Sequence, residues 1–139
     1  MHTAEISSAI LNHTDLVVPL TQEPSAAEAG FRQLFQNTPA AIIMYDAHGI
    51  IRTVNTMAAQ WFERATHDLI GRHISAILAP HEVVHSGARI QQTLVHGTSR
   101  FETIYVSRTG RCMAVDVSNC TITLDGQPTI LSVAYDIGN

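Results

Sequence analysis

Along this chain the spacing of apolar positions changes from helical to alternating and back. Phe31, Leu34 and Phe35 stand at i, i+3 and i+4, one apolar stripe of a helix that Pro24 and Ser25 open and Thr38-Pro39 ends. Two short runs follow, AIIMYD (41 to 46) and IIRTVN (50 to 55), joined by Ala47-His48-Gly49. Short apolar runs around a glycine-bearing turn predict a β-hairpin, with Gly49 supplying a positive φ. From Asn55 to about Val95 the pattern is helical. Ala58, Ala59, Trp61 and Phe62 predict one short helix, His67 to Ile70 another that Gly71 closes, and Ile74, Ile77 and Leu78 a third. Pro80 then opens a longer helix through Val84, Ile90 and Leu94, ended by Gly97. The last third alternates. Phe101 to Ser107 reads as a strand, Arg108-Thr109-Gly110 as a turn, and Met113, Val115 and Val117 as one face of the next strand. Leu124 to Pro128 turns again before a final strand from Thr129 to Asp136. Two strands, several short helices and three further strands predict an α+β domain. Its centre is a five-stranded antiparallel sheet with short helices packed on one face.

Composition narrows this picture. At 139 residues, 45% hydrophobic and 14% charged, the chain has the makings of a single globular domain able to bury a core without disulfides. Residues 1–23 read as a mobile leader or a short dimerising helix, because Pro19 breaks the apolar spacing from Ile6 to Leu20, and residues 24–137 as the domain. The net charge is −4 and all eight basic residues are Arg, so nothing in it calls for a nucleic-acid or anionic-membrane partner. Cys112 and Cys120 lie eight positions apart in a strand-like stretch, on the same side but far apart. They read as two buried thiols, neither a disulfide nor a metal pair. No apolar run reaches the length of a membrane span. The start MHTAEISSAI lacks the basic residues and apolar block of a secretory signal, so the expected setting is cytoplasmic.

With specific residues at its joints, this order resembles the PAS superfamily of sensory domains. FQNTPAAIIMYDAHGIIRTVN resembles the family's opening helix and first hairpin, and Asn55 stands where an Asn often opens the helical half. DLIGRHISAIL matches the family's Leu-Ile-Gly turn, and SRTGRCMAVDVS with LDGQPTILSVAYDI matches its closing hairpins. The resemblance spans roughly residues 30 to 137. It implies a module that senses or relays and is no enzyme, one that pairs as a homodimer around Phe31 to Phe35 and feeds a C-terminal output domain or partner. Two structural roles can be read beside it. Asn55 can cap the helix that follows, and Gly71 can take a left-handed conformation. The segment GRHISAIL holds no Cys where light-sensing flavin relatives carry one, which argues against a flavin adduct.

Two further features bear on chemistry. His81-Glu82-Val83-Val84-His85 spells the zinc-protease string, in which two His one helical turn apart hold zinc and the Glu is general base. Its context is poor. His81 directly follows Pro80, and Ala88 and Gln91 stand where the extended motif has Gly and a third His. Glu102, His96 and Asp116 are the other conceivable third ligands. A zinc protein is therefore the remote alternative. The sharper feature is His85 itself. In the haem-binding FixL/Dos-like oxygen sensors, which this chain resembles, a His on the long helix binds the iron of haem b and an Arg on a following strand reaches bound oxygen. The resemblance assigns the first role to His85, with His81 or His96 as alternatives, and the second to Arg100. Val115, Val117, Ile90 and Ile104 would wall the pocket. Neutral imidazole suits ferrous haem, and one guanidinium donor would favour dioxygen over carbon monoxide. Against this stands a cofactor-free dimerisation and relay module, or a sensor of a small metabolite. His2, His13, His48, His67 and His73 read as surface or turn residues.

Overall fold

The computed structural model describes residues 26–138. The expectation for residues 1–23 lies outside them. Helix α1 (Ala26–Gln36) leads into β1 (Ala41–Asp46) and β2 (Ile51–Val54). Helices α2 (Thr56–Phe62) and α3 (Thr66–Leu69), two 3₁₀ turns (Ile74–Ile77 and Pro80–His85) and α4 (Ser86–His96) follow. Strands β3 (Thr98–Val106), β4 (Cys112–Leu124) and β5 (Gln127–Asp136) complete the domain. The sheet runs β2-β1-β5-β4-β3, and every neighbouring pair is antiparallel. The chain leaves at the β2 edge and re-enters at the β3 edge. The helical half is thus the crossover between the two edges, which is why it covers one face.

That face carries the core. Ile43, Tyr45, Val54, Val115, Val117, Ile130 and Ala134 pack against Ala58, Phe62, Leu69, Ile77 and Ile90 from the helical half. Strand alternation puts these residues inward and their neighbours outward. At the first hairpin Asp46 Oδ1 accepts from the amides of His48 (2.8 Å) and Ile50 (3.0 Å), and Gly49 turns at φ +83°. A bulge between Met44 and Tyr45 sets Ile43 opposite Val54 and Tyr45 opposite Ile51. Both β2 apolar residues therefore face inward, while Arg52 between them goes to solvent.

Asn55 does more than cap. Its Oδ1 accepts from the amides of Ala58 (2.9 Å) and Ile42 (3.0 Å), and its Nδ2 donates to the carbonyls of Phe35 (2.9 Å) and Ala40 (3.0 Å). One buried amide thus ties α1, β1 and α2 together. Gly71 takes the left-handed conformation expected of it, with φ +93°, and Gly97, which ends α4 as expected, does so with φ +84°.

Several expectations need correction. The long helix from Pro80 is two elements. The 3₁₀ turn Pro80–His85 buries none of its residues, and the α-helix starts only at Ser86. Pro80 opens the segment without a side-chain cap, and Glu82 turns toward the domain while Val84 is exposed, so no helical stripe is available to continue it. The thiols are not both buried: Cys112 is exposed and Cys120 half-buried, because both lie on the sheet face away from the helices. The α1 stripe is divided, with Phe35 buried and Leu34 74% exposed. His73 is half-buried and structural. Its Nδ1 accepts from the Ser75 amide at 3.0 Å, capping the first 3₁₀ turn, and its ring lies over Gly49. His48 and His67 are exposed as expected; His2 and His13 fall outside the described residues.

Candidate ligand-binding site

Between the second 3₁₀ turn, α4 and the inner face of β3 lies a compact polar cluster. Side chains on a helix lean toward its N-terminus, so Arg89, in the first turns of α4, reaches back over the turn that carries Glu82. Arg89 Nη2 meets Glu82 Oε1 at 2.8 Å, and the two side chains are only 17% and 16% exposed. The Thr103 hydroxyl donates to the same carboxylate oxygen at 2.6 Å and accepts from Arg89 Nη1 at 3.2 Å. The guanidinium stacks 4.3 Å from the centre of the Phe101 ring, which shields it from water. The Thr103 hydroxyl, and then Arg89, hold the Glu82 carboxyl below its ordinary range. This is a charge pair with each partner anchored twice, the arrangement in which losing one member costs most.

The cluster forms one wall of a cavity of about 30 Å³. Ile43, Ile74, Ile77, Leu78 and Val117 make its apolar side. Tyr45, Tyr105 and Ser132 add hydroxyls on the sheet side, and Ser86 on the helix side. Burial raises both phenols, Tyr105 to about 12 and Tyr45 higher still, so both stay protonated donors at neutral pH. Tyr45 Oη accepts from Asn119 Nδ2 at 3.2 Å and keeps its own proton to give. The ring of Tyr105 is braced edge-on by Phe62 at 5.1 Å. The cavity thus offers several donors and one cation against a single carboxylate, over an apolar floor.

Helix-covered antiparallel sheets of this order invite comparison with known families, and a family model of the PAS fold matches residues 29–137. The chain belongs to the PAS family. It is similar to the PAS domain of an HTR-like protein from Haloarcula marismortui, with 25% identity and a TM-score of 0.72 over 80% of this chain and 92% of that one. It is also similar to a domain of a sensory box sensor histidine kinase/response regulator from Geobacter sulfurreducens, with 20% identity and a TM-score of 0.70 over 79% and 94%. The PAS domain of the RpfR quorum-sensing receptor from Cronobacter turicensis, solved in complex with BDSF, shares 17% identity at a TM-score of 0.63 over 74% and 98%. No curated protein matches the chain in sequence. PAS domains are sensory and signalling modules more often than catalytic ones. Among the described residues no helix is long and apolar enough to cross a membrane.

The PAS scaffold distributes the residues singled out from sequence unevenly. Val117 lines the cavity, with Val115 beside it on the same face, fully buried. Ile90 is buried in the core, and Ile104 points to the other face of the sheet. His85 ends the 3₁₀ turn exposed, and His81 and His96 are exposed as well; none lines the cavity. Arg100 is on the outer face, where it grips Asp116 through Nε (3.1 Å) and Nη2 (2.5 Å). His85 and Arg100 are therefore not brought together across one pocket. A cavity of about 30 Å³ has room for roughly one or two waters, far short of a porphyrin. As arranged here, these residues do not fit haem.

The zinc-protease string fails on geometry. At three residues per turn, His81 and His85 point about 120° apart, where an α-helix would align them. Glu82 is turned inward to Arg89, and Asp116 is engaged by Arg100. Among the described residues no group of three His, Cys, Asp or Glu is placed to hold a metal ion.

Sequence reasoning passed over Arg89, Thr103 and the two tyrosines, and it met Glu82 only as the Glu of the zinc-protease string. A signal existed: Glu82 and Arg89 are opposite charges seven positions apart, two turns along the helix the sequence predicts, in a chain with few charges.

Proposed function

We propose that this PAS domain is a cytoplasmic small-molecule sensor whose ligand enters the cavity beneath α4. The observation that carries this reading is the cavity's lining: a largely enclosed guanidinium and protonated phenols set over an apolar floor. A few placed polar groups in an apolar concavity are the usual makings of a ligand site. The fold shared with a receptor domain solved with BDSF supports the same direction by analogy alone. Ser132, on the central strand β5, lines the cavity, and β5 ends at Asp136, next to the exposed Ile137. A ligand-driven shift in β5 would thus reach the C-terminal end of the domain, where an output domain or partner would read it. A homodimer, formed across the sheet face opposite the helical half, would be the unit that signals.

The test is thermal melting of the purified domain against ethanol, indole, short fatty acids and haemin, with Val117→Phe as the control whose larger side chain fills the cavity. A melting-temperature rise with a small organic compound, lost in Val117→Phe, is the expected result. A Soret band near about 400 nm on haemin addition, abolished by His85→Ala, would replace this reading with a haem-based one. No response to any compound would remove both.

A further inference from the structure

Glu82 is the only carboxylate in the cluster and the only one of its charged groups that comes from outside the cavity. It reaches in from the 3₁₀ turn Pro80–His85, none of whose residues is buried. Its Oε1 takes the hydrogen bonds of both Arg89 and Thr103, while Oε2 looks outward to the exposed His81 at 3.8 Å. The turn's other anchors are few: Val83 packs partly on the core, and the Ser86 hydroxyl donates to the Val83 carbonyl at 2.8 Å.

Resting on the ligand-site reading above, we propose that Glu82 is a built-in stand-in for the carboxylate of a short aliphatic acid. The ligand takes Arg89 and Thr103 from Glu82, and the freed turn Pro80–His85 moves outward as the signal. The ligand class follows from charge. An unpaired guanidinium this enclosed is costly, so whatever displaces Glu82 must itself be an anion. A neutral alcohol cannot compensate Arg89, and a cation is repelled by it. Exchange of one carboxylate for another on the same two donors keeps the guanidinium paired throughout. Tyr45, with a proton to give, adds a donor that Glu82 does not use. Behind the headgroup, Ile43, Ile77, Leu78 and Val117 accept only apolar atoms. The space is the small cavity plus the volume the Glu82 carboxylate vacates, which suits a few carbons and not a long chain.

Glu82 then acts as a tethered competitor. The apparent affinity for the acid is the intrinsic one reduced by the fraction of time Glu82 is off Arg89. The experiment is a titration of the ¹⁵N-labelled domain with sodium butyrate, followed by amide chemical shifts, with sodium chloride at the same ionic strength as control. In the wild type, butyrate is expected to move the amides of Thr103 and Val117 together with those of residues 82–85. In Glu82→Gln the affinity rises by about tenfold or more, and the amides of residues 83–85 start near their butyrate-bound positions. If butyrate moves Val117 and Ser132 but Glu82→Gln binds no tighter, or the turn stays still, the proposal fails and the ligand site stands. If butyrate is silent while a neutral compound binds the cavity, the acid class fails and the ligand site again stands. If nothing binds, both fall together. Glu82→Ala supplies a second readout should Glu82→Gln be poorly folded. Butyrate must raise its melting temperature more than that of the wild type, and an equal rise overturns the proposal.

Discussion

With its side chain fully buried, Asn55 donates twice and accepts twice, and no water is needed to complete it. Asn55→Ala removes a helix cap together with the buried hydrogen bonds to the Ile42 amide and to the Phe35 and Ala40 carbonyls. From caps at about 1 kcal/mol and unpaired buried groups at about 1–3 kcal/mol each, a loss of about 2–4 kcal/mol is expected. Urea denaturation should show a lower midpoint with an unchanged slope. Asn55→Asp should fare no better, because its second oxygen would face two carbonyls; wild-type stability in either variant would refute the bracing role. The cap was legible in sequence, since an Asn before a helical run announces it. The other bonds were not, because their partners lie 13 to 20 residues away in elements whose packing only the fold decides.

Glu82 gives a pH dependence whose sign follows from the same kind of bookkeeping. Its carboxyl is held below the usual range by Thr103 and Arg89. The stabilisation is therefore complete above the unfolded-state value of about 4.3 and is lost as pH falls through the lower folded-state value. The groups that face this carboxyl are the Arg89 guanidinium, the Thr103 hydroxyl and, toward solvent, the His81 ring. Glu63 and Asp116 are also held low, so acid weakens the whole domain. Glu82→Gln isolates one contribution. The gap in urea midpoint between wild type and variant should be widest near neutrality and shrink steadily below about pH 4.5. A gap independent of pH would show that the carboxylate charge is immaterial.

At the scale of elements, the first hairpin is held by the loop that follows α3. The Ile74 amide donates to the Gly49 carbonyl at 2.8 Å, and a side chain at Gly49 would start 2.6 Å from His73 Nε2. Gly71 has a similar φ with nothing within 4 Å. Gly49→Ala and Gly71→Ala therefore share the left-handed strain of about 1–2 kcal/mol, and only Gly49→Ala must also displace His73. Gly49→Ala should be the more destabilising in urea, and its excess should shrink when His73→Ala is added; equal costs for the two glycines would mean His73 yields freely. That Gly49 needs a positive φ could be read from its turn. That His73 leans on it could not, because the contact joins elements more than twenty positions apart. The same limit explains the segment from Pro80. Its apolar spacing suited a helix, but Glu82 bonds to Arg89 and Thr103, partners that spacing cannot reveal, and His85 ends a 3₁₀ turn in solvent. Strand pattern, by contrast, is local, and Ala41–Asp46 came out residue for residue.

Among the described residues, the helical half from Thr56 to His96 covers one sheet face, and the other face is only partly exposed, with Met44 fully buried on it. On that second face Met44 sits beside Leu131, and Ile42 beside Val133, in adjacent rows. Helix α1 covers part of it, leaving a groove of about 270 Å³ lined by Leu34, Thr38, Ile42, Leu131, Val133 and Tyr135. Leu34 is 74% exposed and Tyr135 51%, large apolar side chains on the rim of an apolar groove. A second copy related by a two-fold axis would set each Leu34 against the other's groove, so that one surface serves both partners. Leu34→Glu tests this without disturbing the fold. In the single domain the side chain is in water, so the substitution should change stability by no more than about 0.5 kcal/mol. Across a dimer it would bury two charges against apolar groups, and self-association should weaken by roughly a hundredfold or more. Sedimentation equilibrium of wild type and variant at matched concentrations reads the difference directly. A wild type that stays monomeric at high concentration, or a variant that associates as well as the wild type, would place the partner elsewhere. Because β5 carries Leu131 and Val133 on this face and Ser132 on the cavity face, the same strand would then couple ligand to dimer. A butyrate-dependent shift in the dimerisation constant, absent in Val117→Phe, is what that coupling requires.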